Sequence, residues 1–297
     1  MVNRRLILFL IFIGLILDFN LLIFQEEIRN LFEFRKIKDL VKEESYLNGE
    51  IKVGNIGVIL NSNYEEMSRT VAERLMERMR EIVREKGEVK IGLPTGNTPL
   101  RVYEILRTQF KNDPIWEKVI LIQLDEYVGA DPNSPESFQY QLRENLVKHV
   151  RLKKFLAING NASDINGERL RYEKELSQLG ELDILVLGIG QNGHLAFNEP
   201  GFATEDLVGV VELSPQTREV NHVDFTHAYT ISLKTILQAK EIILIASGEK
   251  KREIVEKALL GEVNLNLPAS FLQNHPHTTF IIDQGACSER IKMLFRK

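Results

Sequence analysis

The sequence is poor in cysteine and lacks an excess of basic residues. Its 297 residues include one cysteine, Cys287, which excludes an internal disulfide framework and fits a reducing, cytoplasmic compartment. The formal net charge is −4, whereas nucleic-acid-binding proteins carry clustered positive charge. We therefore expect a cytoplasmic protein without a nucleic-acid partner.

The sequence also lacks the residue spacings that are typical of metal sites. The most suggestive pair, His275 and His277, flanks Pro276 and stands next to an apolar run. This pattern favours a turn over a metal-binding motif. We therefore expect no bound metal.

An apolar run long enough to span a bilayer is missing as well. The most apolar stretch, Leu6–Leu17, follows two arginines and ends at Asp18, which makes it short for a spanning helix. It resembles a signal peptide, but no clean small-residue cleavage site follows it. Three interpretations stay open: a membrane anchor, an amphiphilic leader, or translation from upstream of the true start. Any membrane contact is expected only through residues 1–24.

Short apolar runs alternate with amphipathic helical patterns from Ile56 onward. We divide the chain into a hydrophobic leader with a charged, helical linker (residues 1–50) and one domain (residues 51–297). Strands that are apolar throughout need cover on both faces, so the pattern predicts an α/β fold. The expected architecture is a Rossmann-like, mostly parallel sheet with helices on both faces. Ligands of such sheets bind beyond the carboxyl ends of the strands.

That rule selects three loops, Pro94–Pro99, Asp125–Pro135 and Gly188–Gly201. The last reads GIGQNGHLAFNEPG and contains G-x-G-x-x-G, the dinucleotide-binding fingerprint. Glu212 even stands at about the distance of a ribose-binding acid. The fingerprint requires a helix at its third glycine, however, and the Pro-Gly pair at the end of this loop leaves room for barely two turns. We therefore expect no nicotinamide or flavin cofactor.

The glycines of this loop have a second use. They let the backbone approach a ligand closely and would hold His194, Asn198 and Glu199 over the edge of the sheet. An imidazole with a carboxylate provides a general base and an orienting partner. A hydrogen-bonded structural histidine is the alternative, but the polar, glycine-rich surroundings favour function.

The other two loops each allow two interpretations. LPTGNTPL joins a strand to a helix and is either an anion site built from backbone amides and hydroxyls, or a plain cap with Pro99 in the first turn. LIQLDEYVG ends a strand with Asp125 and Glu126, of which at most one faces a given direction. These carboxylates are either a solvated strand end or a group that moves a proton on a substrate carbon.

The three loops, in this order, resemble those of glucosamine-6-phosphate deaminases, of the glucosamine/galactosamine-6-phosphate isomerase family. The matching stretches are GLPTGNTPL, LDEYVG with SPESF after it, and GIGQNGHLAFNEPG, and the resemblance runs from about Val58 to the end. It implies that residues 51–297 are a sugar-phosphate deaminase/isomerase domain. The fold is shared with 6-phosphogluconolactonases, but DEYVG and HLAFNEPG are the deaminase forms of their loops.

The resemblance implies conversion of D-glucosamine 6-phosphate and water to D-fructose 6-phosphate and ammonia. Ring opening, aldose–ketose isomerisation and deamination would follow one another without a cofactor. His194 would take and return the ring proton, oriented and tuned by Asn192 and Glu199, and Asp125 would carry a proton from C2 to C1. The residues implied in binding the phosphate or the substrate hydroxyls are Thr95, Gly96, Asn97, Thr98 and Lys250.

The sequence also departs from the family pattern. The second phosphate-binding arginine of the family falls near His222 and Val223 here. Losing a bidentate arginine contact costs roughly 1.5–3 kcal/mol if nothing replaces it. Two alternatives therefore stay open: a related substrate such as galactosamine 6-phosphate, or a non-catalytic sugar-phosphate-binding homologue. A homo-oligomer is compatible with the sequence.

Overall fold

The computed structural model describes residues 49–295. In chain order its strands β1 to β11 are Glu50–Val53, Ile56–Asn61, Val89–Leu93, Val119–Gln123, Asp125–Tyr127, Lys154–Leu156, Ile184–Leu187, Val208–Glu212, His227–Ile231, Ile242–Ala246 and Thr278–Asp283. Its helices α1 to α8 are Tyr64–Lys86, Leu100–Gln109, Phe138–Asn145, Ile165–Leu179, Pro215–Asn221, Leu233–Leu237, Arg252–Leu260 and Glu289–Phe295. Short 3₁₀ helices span Pro114–Lys118, Val147–His149, Glu249–Lys251 and Pro268–Asn274. The expected leader and nearly all of the expected linker lie outside the described residues.

Eight strands form the central sheet, in the order β1-β2-β11-β10-β7-β3-β4-β6. β1 is antiparallel to β2, and the other neighbours are parallel. Strand β4 shows why both faces must be covered. Val119 and Leu121 belong to the buried cluster that includes residues of α1 and α2, whereas Ile120 and Ile122 belong to the cluster that includes residues of α4 and α7. The predicted α/β fold with a mostly parallel sheet is confirmed.

Helix α1 illustrates how local sequence sets an element's limits. The side chain of Asn63 accepts a hydrogen bond from the Glu66 amide at 3.0 Å and caps the first turn. Gly87 ends the helix with a left-handed φ of 79°, a conformation that glycine adopts without a steric cost. Its buried face carries apolar residues at helical spacing, namely Met67, Val71, Leu75, Met76 and Met79.

A second, antiparallel sheet of three strands, in the order β5-β9-β8, lies beyond the end of β4. The expectation of a loop from Asp125 was wrong for its first three residues, which form β5 by pairing with β9. Partners far along the chain supply these hydrogen bonds, so no local pattern marks the strand. The ring centroid of Tyr127 lies 4.7–5.3 Å from those of Phe138, Phe197 and Phe225. This aromatic cluster anchors β5.

Within residues 49–295, no helix is both long and apolar enough to cross a membrane. The proposed membrane contact through residues 1–24 lies outside this range and stays a prediction.

Candidate active site

Three chain segments leave the central sheet at one edge. Strands β7, β3 and β4 are neighbours and parallel, so their carboxyl ends lie side by side. The loop Pro94–Pro99 follows β3, Asp125 follows β4, and the loop Gly188–Gly201 follows β7. The topology therefore brings together the three loops that the sequence selects.

Thr230 on β9 joins Asp125 to the histidine loop. Its Cα pairs with that of Asp125 across the small sheet, and its hydroxyl accepts a hydrogen bond from the Phe197 amide at 3.0 Å. Asn198 adds a second tie, because its Nδ2 donates to the carbonyl of Ile231 at 2.9 Å. Asn198 is buried and holds the loop in place. Sequence reasoning missed Thr230, since nothing in AYTISL distinguishes it.

The glycines of the loop make room for the imidazole. A Cβ added at Gly190 would lie 2.4–2.6 Å from three ring atoms of His194, so any larger residue would displace the ring. Gly193 has a φ of 89°, and a Cβ there would meet the side chain of Leu267. The described residues from 194 to 207 form no helix, and an isolated bridge pairs Leu195 with Asn198. The loop therefore lacks the helix that a pyrophosphate-binding fingerprint requires.

Glu199 is a buried carboxylate that two side chains hold. Its Oε2 accepts a hydrogen bond from Asn192 Nδ2 at 2.7 Å, and its Oε1 accepts one from the Thr217 hydroxyl at 2.5 Å. Oε1 lies 3.8 Å from His194 Nδ1, and the Asn192 Oδ1 accepts the His194 amide at 3.2 Å. The structure thus brings together Asn192, His194 and Glu199. Thr217 is a further member that the sequence did not indicate.

The pKa of His194 keeps its imidazole neutral at neutral pH. Burial, with a smaller contribution from the charge of Lys251, lowers the pKa of its imidazole to about 4, although Glu199 acts in the opposite direction. Its Nδ1 is buried and has no hydrogen-bond partner. A neutral imidazole is the form that accepts a proton at neutral pH.

The neighbouring carboxylates Asp125 and Glu126 have opposite surroundings. The carboxylate of Glu126 accepts hydrogen bonds at 2.7–3.1 Å from five donors: Gln123 Nε2, Ser137 Oγ and the amides of Tyr127, Phe138 and Gln139. The carboxylate of Asp125 accepts none from the described residues, yet only 8% of the residue is exposed. Burial and the charge of Glu126 raise the pKa of Asp125 to about 8. Of the two, Asp125 is the one available to a substrate.

The loop after β3 presents unused backbone donors. The Tyr64 hydroxyl fixes it by donating toward the carbonyls of Asn97 and Thr98 at 3.1–3.2 Å. Gly96 has a φ of 86°, and α2 begins after Pro99 without a side-chain cap. Among the hydrogen bonds of residues 49–295, the amides of Gly96, Asn97 and Thr98 donate to no acceptor. Free amides at a helix N-terminus form an anion site, and the missing cap disfavours the plain-cap interpretation.

Two adjacent lysines, Lys250 and Lys251, have different surroundings. The side chain of Lys250, the residue that the sequence suggested, is exposed. Lys251 is half-buried, and its Nζ donates to the carbonyl of Ile189 in the histidine loop at 2.6 Å. Burial lowers the pKa of Lys251. Lys251 rather than Lys250 therefore reaches the candidate site.

His275, one of the two histidines considered for a metal site, has other partners. Nδ1 of His275 lies 2.9 Å from the Thr278 hydroxyl and Nε2 lies 2.7 Å from the Ala239 carbonyl, so both ring nitrogens are engaged. No cluster of three or more His, Cys, Asp or Glu side chains within residues 49–295 has the arrangement of a metal site.

Comparisons with known proteins identify the family. A family model described as glucosamine-6-phosphate isomerases/6-phosphogluconolactonase matches residues 62–281. A glucosamine-6-phosphate deaminase of Thermoanaerobacter pseudethanolicus is 38% identical over 241 residues, which cover 78% of this chain and 94% of the relative. One of Listeria monocytogenes is 43% identical over 210 residues, which cover 68% of this chain and 88% of the relative.

Solved structures give the same result. A monomeric glucosamine-6-phosphate deaminase superposes with a TM-score of 0.71 at 34% identity, covering 77% of this chain and 98% of its own. A 6-phosphogluconolactonase from Thermotoga maritima shares the fold, with a TM-score of 0.66 at 21% identity over 76% of this chain and 99% of its own. This chain belongs to the glucosamine-6-phosphate isomerase/6-phosphogluconolactonase family.

Proposed function

We propose that this chain converts D-glucosamine 6-phosphate and water to D-fructose 6-phosphate and ammonia. One observation carries the proposal: Asp125, without a hydrogen-bond partner, and His194, a neutral buried imidazole, follow strands at the same sheet edge and are joined through Thr230. The glucosamine-6-phosphate deaminase of Listeria monocytogenes is 43% identical to it. The partner is accordingly an amino-sugar phosphate, and the buried free thiol of Cys287 supports a cytoplasmic location.

Ring opening is the first step, and His194 supplies its base. The neutral imidazole takes the proton of the anomeric hydroxyl and returns it to the ring oxygen as the C1–O5 bond breaks. This proton transfer needs a group that is unprotonated at neutral pH, which the lowered pKa of His194 provides. Glu199 and Asn192 orient the loop around the imidazole.

Isomerisation follows, and Asp125 carries its proton. The carboxylate removes the proton from C2 of the open-chain aldehyde while the ammonium group at C2 gives a proton to the aldehyde oxygen, and the resulting enolamine takes the carried proton back at C1. The imine left at C2 is hydrolysed by water, which gives the ketone and releases ammonia. The pKa of about 8 leaves a fraction of Asp125 ionised at neutral pH, and this fraction acts as the base and then retains the abstracted proton well enough to return it to carbon. Glu126, which accepts hydrogen bonds from five donors, lies next to Asp125 in β5 and holds that strand in position.

The substrate phosphate is held where backbone donors are free. We assign it to the amides of Gly96, Asn97 and Thr98, with the hydroxyls of Thr95 and Thr98 beside them. Lys251 supplies the positive charge from the opposite loop, in place of the exposed Lys250.

One observation favours a related substrate as the second candidate. The family's second phosphate arginine falls near His222 and Val223 here, and the side chain of Val223 packs against the aromatic cluster around Tyr127. The site therefore binds phosphate without that guanidinium, which favours testing galactosamine 6-phosphate beside glucosamine 6-phosphate.

Ammonia release from both amino-sugar phosphates, measured in parallel with the full chain, tests the proposal. We expect ammonia and fructose 6-phosphate in equal amounts from glucosamine 6-phosphate, with the higher kcat/KM. A higher kcat/KM for galactosamine 6-phosphate would transfer the proposal to that substrate. Binding of both compounds without ammonia release would identify a non-catalytic homologue.

A further inference from the structure

Two side chains approach the same oxygen of Glu199. Thr217 Oγ1 lies 2.5 Å from Oε1 and donates to it, whereas His194 Nδ1 lies 3.8 Å from the same atom, beyond hydrogen-bonding distance. The other oxygen, Oε2, accepts from Asn192 at 2.7 Å. The two oxygens of the carboxylate therefore accept hydrogen bonds from the hydroxyl of Thr217 and the amide of Asn192. Neither oxygen accepts a hydrogen bond from the imidazole of His194.

The geometry around Thr217 directs its single hydroxyl proton at Glu199. Ser214 Oγ donates to Thr217 Oγ1 at 3.0 Å and accepts from the Thr217 amide at 3.1 Å. Since Thr217 Oγ1 already accepts from Ser214, its own proton remains for Oε1. Ser214 is also the N-cap of α5, so the hydroxyl is held by a capped helix and Thr217 is 4% exposed.

As a result, one ring nitrogen of His194 has no hydrogen-bond partner. Its Nδ1 is buried and makes no hydrogen bond, which is costly for a polar atom out of contact with water. We propose that Thr217 is a positioning residue whose hydroxyl competes with His194 for Oε1 of Glu199, and so limits how strongly this carboxylate supports the imidazole. The kinetic consequence rests on the proposed function, but the competition itself does not.

Removing the hydroxyl should release Oε1 to His194. In Thr217→Val, which keeps the side-chain shape, Nδ1–H can turn toward the freed oxygen and donate to it. A carboxylate hydrogen bond stabilises the imidazolium, so the pKa of His194 should rise, by about one pH unit. The charged groups acting on His194 in the described chain are Glu199, from its own loop, and Lys251, from the turn after β10, and neither is altered by the substitution.

The pKa of His194 is measured directly by NMR titration of ¹⁵N-histidine-labelled full chain, with the His194→Gln spectrum identifying its signal. Thr217→Ser restores the hydroxyl and should titrate like the wild type. Thr235→Val is the matched control, because Thr235 is equally buried but donates to the Leu207 carbonyl. Thr217→Ala provides a second hydroxyl-free variant in case the valine substitution prevents folding.

The proposal requires that the pKa of His194 is higher in Thr217→Val or Thr217→Ala than in the wild type. The pKa should not change in Thr217→Ser or in Thr235→Val. It should also not increase when Glu199→Gln is combined with the hydroxyl-free substitution. An unchanged pKa in the hydroxyl-free variants, or an equal rise with Glu199→Gln present, would overturn it. If the wild type releases ammonia, the acidic limb of kcat/KM should move to higher pH together with the pKa. The titration needs no turnover, so an inactive wild type would refute the proposed function without deciding the competition.

Discussion

The two ends of the central sheet treat buried charge in opposite ways. At the amino end, Asp183 has a side chain that is 1% exposed, and it accepts hydrogen bonds from Lys86 at 2.8 Å, Lys240 at 3.0 Å and the Lys90 amide at 3.0 Å. Although burial raises its pKa, these partners together lower it. At the carboxyl end, Asp125 is almost as buried but has no such partner, and its pKa rises to about 8.

This difference separates stabilising charges from reactive ones. A cavity of about 440 Å³ opens at the amino end. The lysines and arginines that line it each pair with a carboxylate: Lys52, Arg74, Arg78, Lys86 and Lys240. Concavity alone therefore does not mark the site. A buried titratable group without a hydrogen-bond partner is a better sign of function, because burial shifts its pKa with no such partner to oppose the shift, as in Asp125.

The sharpest test removes the unpartnered groups. Asp125→Asn and His194→Gln should each lower kcat for ammonia release by about 10²–10⁴-fold, since each loses a proton carrier. Neither variant breaks a side-chain hydrogen bond, so the free energy of unfolding should not fall. Denaturant unfolding of the same preparations checks this second part. Near-normal turnover in either variant would remove the role assigned to that residue.

The same test at the amino end should give the reverse result. Asp183→Asn loses its ion pairs with Lys86 and Lys240, and we expect the free energy of unfolding to fall by about 1.5–3 kcal/mol. The kcat should stay at the wild-type value, because the residue lies at the opposite end of the sheet. A loss of kcat larger than the fraction of unfolded protein accounts for would contradict the comparison between the two ends.

The sequence predicts the parts of this molecule that local patterns encode. Period and length predict the long helix and the apolar strands, and strand order then selects the loops after β3, β4 and β7. The chain elements missed are those fixed by distant partners. Thr230 contacts Phe197, 33 residues away, and Thr217 contacts Glu199, 18 residues away. Neither threonine differs locally from a buried structural residue, so only the fold reveals them.

The adjacent residues Lys250 and Lys251 show the same limit of prediction from sequence. A motif places the cation after β10, but only the backbone path decides whether Lys250 or Lys251 points inward. Lys251→Met should lower kcat/KM by roughly ten- to a hundredfold, mainly through KM, because a charge-assisted phosphate contact is worth about 1.5–3 kcal/mol. Lys250→Met, the matched control, should leave both constants unchanged. Equal effects of the two substitutions would contradict the assignment.

The smallest effect we expect is a difference in pH dependence between the two aspartates. Asp125 has a folded-state pKa of about 8 and an ordinary value of 3.8, so between these values the folded state holds a proton that the unfolded state has lost. Stability contributed by this group must therefore fall as pH rises, by at most about 1.4 kcal/mol per pH unit.

Unfolding measured at about pH 6 and about pH 7 should show this change in the wild type relative to Asp125→Asn. Asp183 has a pKa that is lowered instead, so it is ionised in both states across this interval. The difference between wild type and Asp183→Asn should consequently be the same at both pH values. A pH-independent difference for Asp125→Asn as well would mean that Asp125 is ionised in the folded protein, and the contrast between a paired and an unpaired buried carboxylate would no longer hold.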